Sequence, residues 1–166
     1  MFFIRSAGEA DLKKVQTLLA ETWRDTYTPF HGDHKIEAMI AAWHSVAALK
    51  ERLNRPNSEF LVADDGKQLA GMAYAAMSRN NPKRVNLHQL YVHPLWQSQG
   101  IGTELFAEVE TCFPDAERMQ VEVTVENDRA ISLYRKLGFV EIGRSENVGL
   151  PGAGMAALIM EKKLAF

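Results

Sequence analysis

The run "LYVHPLWQSQGIGTELFAEVE", residues 90–110, passes from an apolar strand pattern to a helical one across two glycines, Gly100 and Gly102. Glycine at a helix start costs roughly 0.5–1 kcal/mol relative to alanine, so something must need the backbone bare there. Strand, glycine turn and helix together form an anion site, because free N–H groups and the helix dipole face the same point. The dinucleotide fingerprint needs a third glycine at 105, where Leu105 stands. The ATP/GTP loop needs Gly-Lys-Ser/Thr, which the chain lacks. What remains is Gln97-x-x-Gly100-x-Gly102, in which the amides of residues 98–103 ring a pyrophosphate. Tight packing of helix on strand is the other use of such glycines, and spacing alone leaves both open.

Around this feature the pattern alternates between strand and helix. "FFIRSA" reads as a strand, and Leu12, Val15, Leu19 and Trp23 then share one helical stripe. Ser6 with Glu9 has capping-box spacing, while Gly8 with Asp11 competes for the same boundary. The helical pattern breaks at Pro29 and Gly32, and two short helical segments follow over 35–42 and 45–54. "EFLVADDGKQLAGMAYAAM" is a hairpin around Asp65-Gly66, and "RVNLHQLYV" is a further strand. A helix over 100–113, the strand "RMQVEVTV", a helix over 127–137 stopped by Gly138, and two strands joined by "GLPGAG" complete the chain. The coarse order is β-α-α-β-β-β-α-β-α-β-β, an α/β fold with a mixed sheet of about seven strands and helices on both faces.

A length of 166 residues suits one domain over 1–166 with one core. No apolar run approaches the roughly 20 residues of a membrane span, so no membrane partner is expected. The N-terminus lacks the features of a signal peptide. Cys112 is the single cysteine, which fits a reducing compartment, and the expected location is the cytoplasm. With 19 basic and 21 acidic residues and no Lys/Arg cluster, no nucleic-acid partner is expected.

Two segments carry a resemblance. "LYVHPLWQSQGIGTELF" resembles the acyl-CoA signature of the GNAT superfamily of N-acetyltransferases, Q/R-x-x-G-x-G/A after an L-x-V-x-P strand. "NDRAISLYRKLGF", residues 127–139, is similar to the second signature of the same superfamily, N-x-x-A-x-x-x-Y-x-x-x-G-F. The resemblance implies a GNAT-type fold whose splayed central strands admit acetyl-CoA as co-substrate, with no metal. It implies that Gln97, Ser98, Gln99, Gly100, Ile101, Gly102 and Thr103 hold the pyrophosphate, and that Leu90, Tyr91 and Val92 pair their backbone with the pantetheine arm. Asn127 would contact that arm, and Tyr134 would lie close to the thioester sulfur.

The residues supply their own chemistry beside that likeness. Asn127 and Tyr134 are seven apart, close to two helical turns, so both can face one cleft. A leaving thiolate, with a thiol pKa of about 8.5, gains from a hydroxyl donor such as Tyr134. Alternation in "VNLHQLYV" sets Asn86, His88, Leu90 and Val92 on one face. His88 stands where relatives often carry an acid, and it is equally readable as a general base or as a pocket-shaping residue. The phosphate loop carries no Arg or Lys, which leaves Arg129, Arg135 or Lys136 as candidates for other phosphates. Cys112 has no evident base beside it, and His31 with His34 lacks a third metal ligand.

Tyr27, Phe30 and His31, with His88, are the acceptor-side candidates. The stretch "DTYTPFHGDHKIEAMIAAWHSVAA" suggests a lid over a compact pocket, hence a small-molecule amine acceptor and direct transfer in a ternary complex. Acetylation of a protein or peptide N-terminus or lysine is the alternative, and a non-catalytic acyl-CoA sensor is a second. An apolar edge strand at "MAALIM" predicts a homodimer.

Overall fold

The computed structural model describes residues 1–146 and 154–164. Most of the "GLPGAG" connection lies outside the described residues. The elements are β1 (Phe3–Ser6), α1 (Leu12–His31), α2 (Asp33–Trp43), α3 (Val46–Asn54), β2 (Ser58–Asp64), β3 (Leu69–Met77) and β4 (Arg84–Val92). There follow α4 (Ile101–Thr111), β5 (Arg118–Thr124), α5 (Asp128–Lys136), β6 (Val140–Ser145) and β7 (Ala157–Lys163). Among the described residues seven strands form one sheet in the order β1-β2-β3-β4-β5-β7-β6, mixed and seven-stranded as expected. The structure separates three helices between β1 and β2 where the coarse order has two.

The chain divides into two compact units, Met1–Ala76 with Gln89–Cys112, and Met77–His88 with Phe113–Phe166. In the first, the β2–β3 hairpin pairs Leu61 with Ala73 and Ala63 with Gly71. Phe60, Val62, Met72 and Tyr74 on the opposite face join Leu12, Val15 and Leu19 of α1 and Leu49 of α3 in one apolar cluster. Helix α4 lies on the Gly71 side and buries Ile101, Leu105, Phe106 and Val109. A Cβ on Gly71 would stand 2.8 Å from the Tyr91 carbonyl oxygen and 3.0 Å from Leu105 Cδ1. Only glycine lets β3, β4 and α4 approach this closely.

The second unit is a parallel ladder from Arg84↔Arg118 to Leu87↔Val121, with β7 antiparallel on the far side of β5. Val85, Leu87, Met119, Val121, Val123, Ile131, Tyr134 and Met160 are buried in it.

Two expectations need correction. Pro29 does not break the first helix, which runs on to His31. Proline removes only its own N–H and strains one turn, while Trp23 and Tyr27 stay buried on the same helix. The helix stops at Gly32, whose φ of 82° no β-carbon-bearing residue adopts easily, and whose N–H closes on Thr28 O at 2.9 Å. The stretch expected to form a lid comprises the end of α1, all of α2 and the start of α3. Finally "MAALIM" is not an edge: β7 pairs with β5 on one side and β6 on the other. The edges are β1 and β6, which removes the premise for the homodimer. At the first helix boundary, Asp11 Oδ2 accepts from Gly8 N–H at 2.7 Å, so Gly8 with Asp11 prevails over Ser6 with Glu9.

Candidate functional site

In the first unit the end of β4 feeds directly into the glycine loop. Leu90, Tyr91 and Val92 are all half-buried. His93 N–H donates to Ala70 O at 2.7 Å, and Gln97 Nε2 donates to Val92 O at 3.0 Å. His93 Nδ1 accepts from Leu95 N–H at 3.2 Å, so Nε2 carries the proton and donates to Glu21 Oε2 at 2.5 Å. The turn into α4 is therefore held from both the strand and α1.

Inside that turn Ser98 has φ 65° and Gly100, the N-cap of α4, has φ 84°. The first bond of the new helix is Glu104 N–H to Gly100 O at 3.0 Å. Among the described residues the amides of 98–103 donate to nothing. Six successive donors at the positive end of a helix dipole form an anion cradle with no cationic side chain inside it.

Of the acceptor-side candidates in this unit, Tyr27 is core. It is buried, with its ring edge-on to Trp23 at 4.7 Å. Phe30 is 60 % exposed, and His31 is half-buried at the last position of α1.

The second unit carries His88, Asn127 and Tyr134. Asn127 is the N-cap of α5, where its Oδ1 accepts from Ala130 N–H at 3.2 Å and leaves Nδ2 as a donor. Tyr134 is buried, its ring edge-on to Phe139 at 5.3 Å. Gly138, at φ 100°, turns the chain so that Phe139 N–H reaches Tyr134 O at 2.9 Å. His88 is exposed on β4, on the Asn86 face.

That face holds a residue that sequence reasoning missed. The parallel β4–β5 register ends at Leu87↔Val121, and His88 and Glu122 are the residues that follow it on the two strands. Although Glu122 is exposed as a residue, partial burial of its carboxyl pushes its pKa above the usual carboxylate range. The signal was present in "VEVTV", where Val121 and Val123 are buried and Glu122 points the other way.

Other sequence candidates carry less. The Cys112 thiol is pushed up by burial and by Glu59 and Glu108, the reverse of what a nucleophile needs. Arg129, Arg135 and Lys136 are exposed on α5. Among the described residues no three His, Cys, Asp or Glu side chains gather as metal ligands, and no helix is long and apolar enough to cross a membrane.

Residues 27–164 match the family model of the acetyltransferase (GNAT) domain. The chain belongs to the GNAT acetyltransferase family. It is 33 % identical over 98 residues to the N-alpha-acetyltransferase RimI of Mycobacterium tuberculosis, covering 58 % of this chain and 61 % of that protein. It is 30 % identical over 131 residues to a putative [ribosomal protein bS18]-alanine N-acetyltransferase of Bacillus subtilis, covering 76 % and 84 % of the two chains. The PaiA N-acetyltransferase of Thermoplasma acidophilum, solved in complex with coenzyme A, superposes with a TM-score of 0.84 at 25 % identity, covering 98 % of this chain and 99 % of that one.

Proposed function

We propose that this chain acts as one N-acetyltransferase domain, with acetyl-CoA as donor and a primary amine as acceptor. The carrying observation is the run of unpartnered amides at 98–103 directly after β4. A pyrophosphate fits it, because the cradle offers donors only, and the positive φ at Ser98 and Gly100 fixes their direction. The coenzyme A in the Thermoplasma structure supports the same ligand. Acetyl-CoA, when bound, supplies a thioester carbonyl open to attack by an amine.

Each residue then has a task. Gln97 ties the cradle to the end of β4, whose Leu90, Tyr91 and Val92 backbone would pair with the pantetheine arm. Asn127 Nδ2 would donate to that arm. Tyr134 would donate its hydroxyl proton to the departing sulfur. The attacking amine must be neutral, and Glu122 with its raised pKa is the better base, with His88 the first residue of β4 past the paired register.

The relatives named for a protein α-amine favour a peptide or protein N-terminus over the small-molecule amine. The single cysteine supports a reducing compartment such as the cytoplasm. Calorimetry with acetyl-CoA tests the cradle. The intact chain should bind, and a folded Gly102→Val variant should lose most of that affinity. Equal affinity in the two would remove the basis of the reading.

A further inference from the structure

The first unit holds a second cluster of donors, away from the glycine loop in sequence. Arg52 on α3 donates from Nη2 to the Trp43 carbonyl, and its Nη1 is buried with no acceptor. No carboxylate among the described residues lies within ion-pair distance of it. His44 is only 1 % exposed, and neither ring nitrogen has a hydrogen-bond partner. Its ring stands edge-on to Trp23 at 4.8 Å, and the Trp23 Nε1–H is itself buried without an acceptor. Trp23 also contacts Trp43 at 5.7 Å and Tyr91, one of the β4 residues assigned to pantetheine, at 6.4 Å.

Natural interiors rarely strand a guanidinium, since a buried cation is normally paired. Here Arg52 Nη1, Trp23 Nε1 and the His44 ring lie on α3, α1 and the α2–α3 junction, and the Trp43 carbonyl is taken up by Arg52 Nη2, which leaves Nη1 and the Trp23 N–H without an acceptor. Burial and the neighbouring guanidinium hold His44 neutral, so in either tautomer it offers one N–H. Burial likewise pulls the Arg52 pKa down, which an incoming anion would reverse.

We propose that Arg52, His44 and Trp23 form an anion subsite that receives a carboxylate on the amine acceptor. A planar carboxylate matches the guanidinium fork and has lone pairs for the additional N–H donors. The pyrophosphate already has its own cradle at 98–103, so the subsite is left for the acceptor. The carboxylate comes either from a free amino acid or from an acidic side chain next to a peptide N-terminus. This assignment to the acceptor rests on the acetyltransferase reading; anion binding itself does not.

The test has a binding arm and a turnover arm on the full chain. Tryptophan fluorescence is titrated with acetate and with acetamide. The expected result is a saturable change with acetate alone, lost in Arg52→Met and weakened in Trp23→Phe, which keeps the aromatic packing. In turnover, each acceptor is compared with its neutral partner: amino acid with amino amide, and peptides carrying Asp or Asn at the second position. The pair that responds identifies the source. The acid should be favoured by about 10–100-fold in kcat/KM, falling toward parity in Arg52→Met with the acetyl-CoA KM unchanged. Absence of acetate binding in the wild type, or an Arg52→Met effect on acetyl-CoA KM instead of acceptor choice, overturns the subsite. Saturable acetate binding with no turnover of any amine would instead overturn the acetyltransferase reading and, with it, the assignment to an acceptor.

Discussion

Gln97 reaches back across the turn it begins, donating from Nε2 to the Val92 carbonyl at 3.0 Å. One side chain thus fixes the glycine loop to the last residue of β4. Removing it with Gln97→Ala deletes one hydrogen bond of about 0.5–1.5 kcal/mol. Acetyl-CoA affinity measured by calorimetry should weaken by roughly 2- to 10-fold, with the thermal midpoint nearly unchanged.

Gly71 is the place where the sheet admits no side chain. Gly71→Ala puts a Cβ against the Tyr91 carbonyl and should destabilise the fold by about 1–3 kcal/mol in urea unfolding. Gly8→Ala is the control. Gly8 sits at φ −120°, and its nearest neighbour to a new Cβ is Asp11 Oδ2 at 3.8 Å, so the change should be close to neutral.

His44 makes stability depend on pH. Its folded pKa is pushed down to about 3 from an ordinary value near 6.5. The unfolded chain therefore binds the proton first, and stability present above about 6.5 is lost as pH falls toward 3. Each pH unit inside that window costs at most about 1.4 kcal/mol. Urea unfolding at pH 7.5 and pH 5 should show a smaller drop for His44→Gln than for wild type.

Tyr134 and Glu122 should separate in the pH–rate profile. Tyr134→Phe keeps the edge contact with Phe139 and loses only the hydroxyl. Its kcat should fall about 10²–10⁴-fold with acetyl-CoA affinity nearly constant. A base must be deprotonated to act, so Glu122→Gln should remove the acidic limb, which its raised pKa places above the usual carboxylate range. If His88→Gln removes that limb and Glu122→Gln leaves it, the base is His88.

The sequence pattern carried β4 well because that strand shows its face: Val85, Leu87 and Gln89 are buried along it, as alternation requires. The glycine loop was legible for the same local reason, since positive φ at Gly100 is written into the residue type. What was not legible depends on distant partners. Pro29 reads as a stop, but the buried ring of Tyr27 two residues earlier keeps the helix going. Nothing in "MAALIM" says that both its edges are taken, because β6 and β5 are supplied by other parts of the chain. The sequence analysis gave Arg52 no role, and only the fold reveals that it lies against the Trp43 carbonyl and near His44.

The central claim is that the chain moves an acetyl group from acetyl-CoA to an amine. Release of free CoA thiol should be followed with acetyl-CoA and a panel of peptide N-termini and small amines, with mass spectrometry of the acceptor. The account predicts thiol release that needs both substrates, an acetylated amine in equal amount, and loss of both signals in Gly102→Val. Tight acetyl-CoA binding with no acceptor acetylated anywhere in the panel would contradict it and leave a protein that binds the thioester without using it.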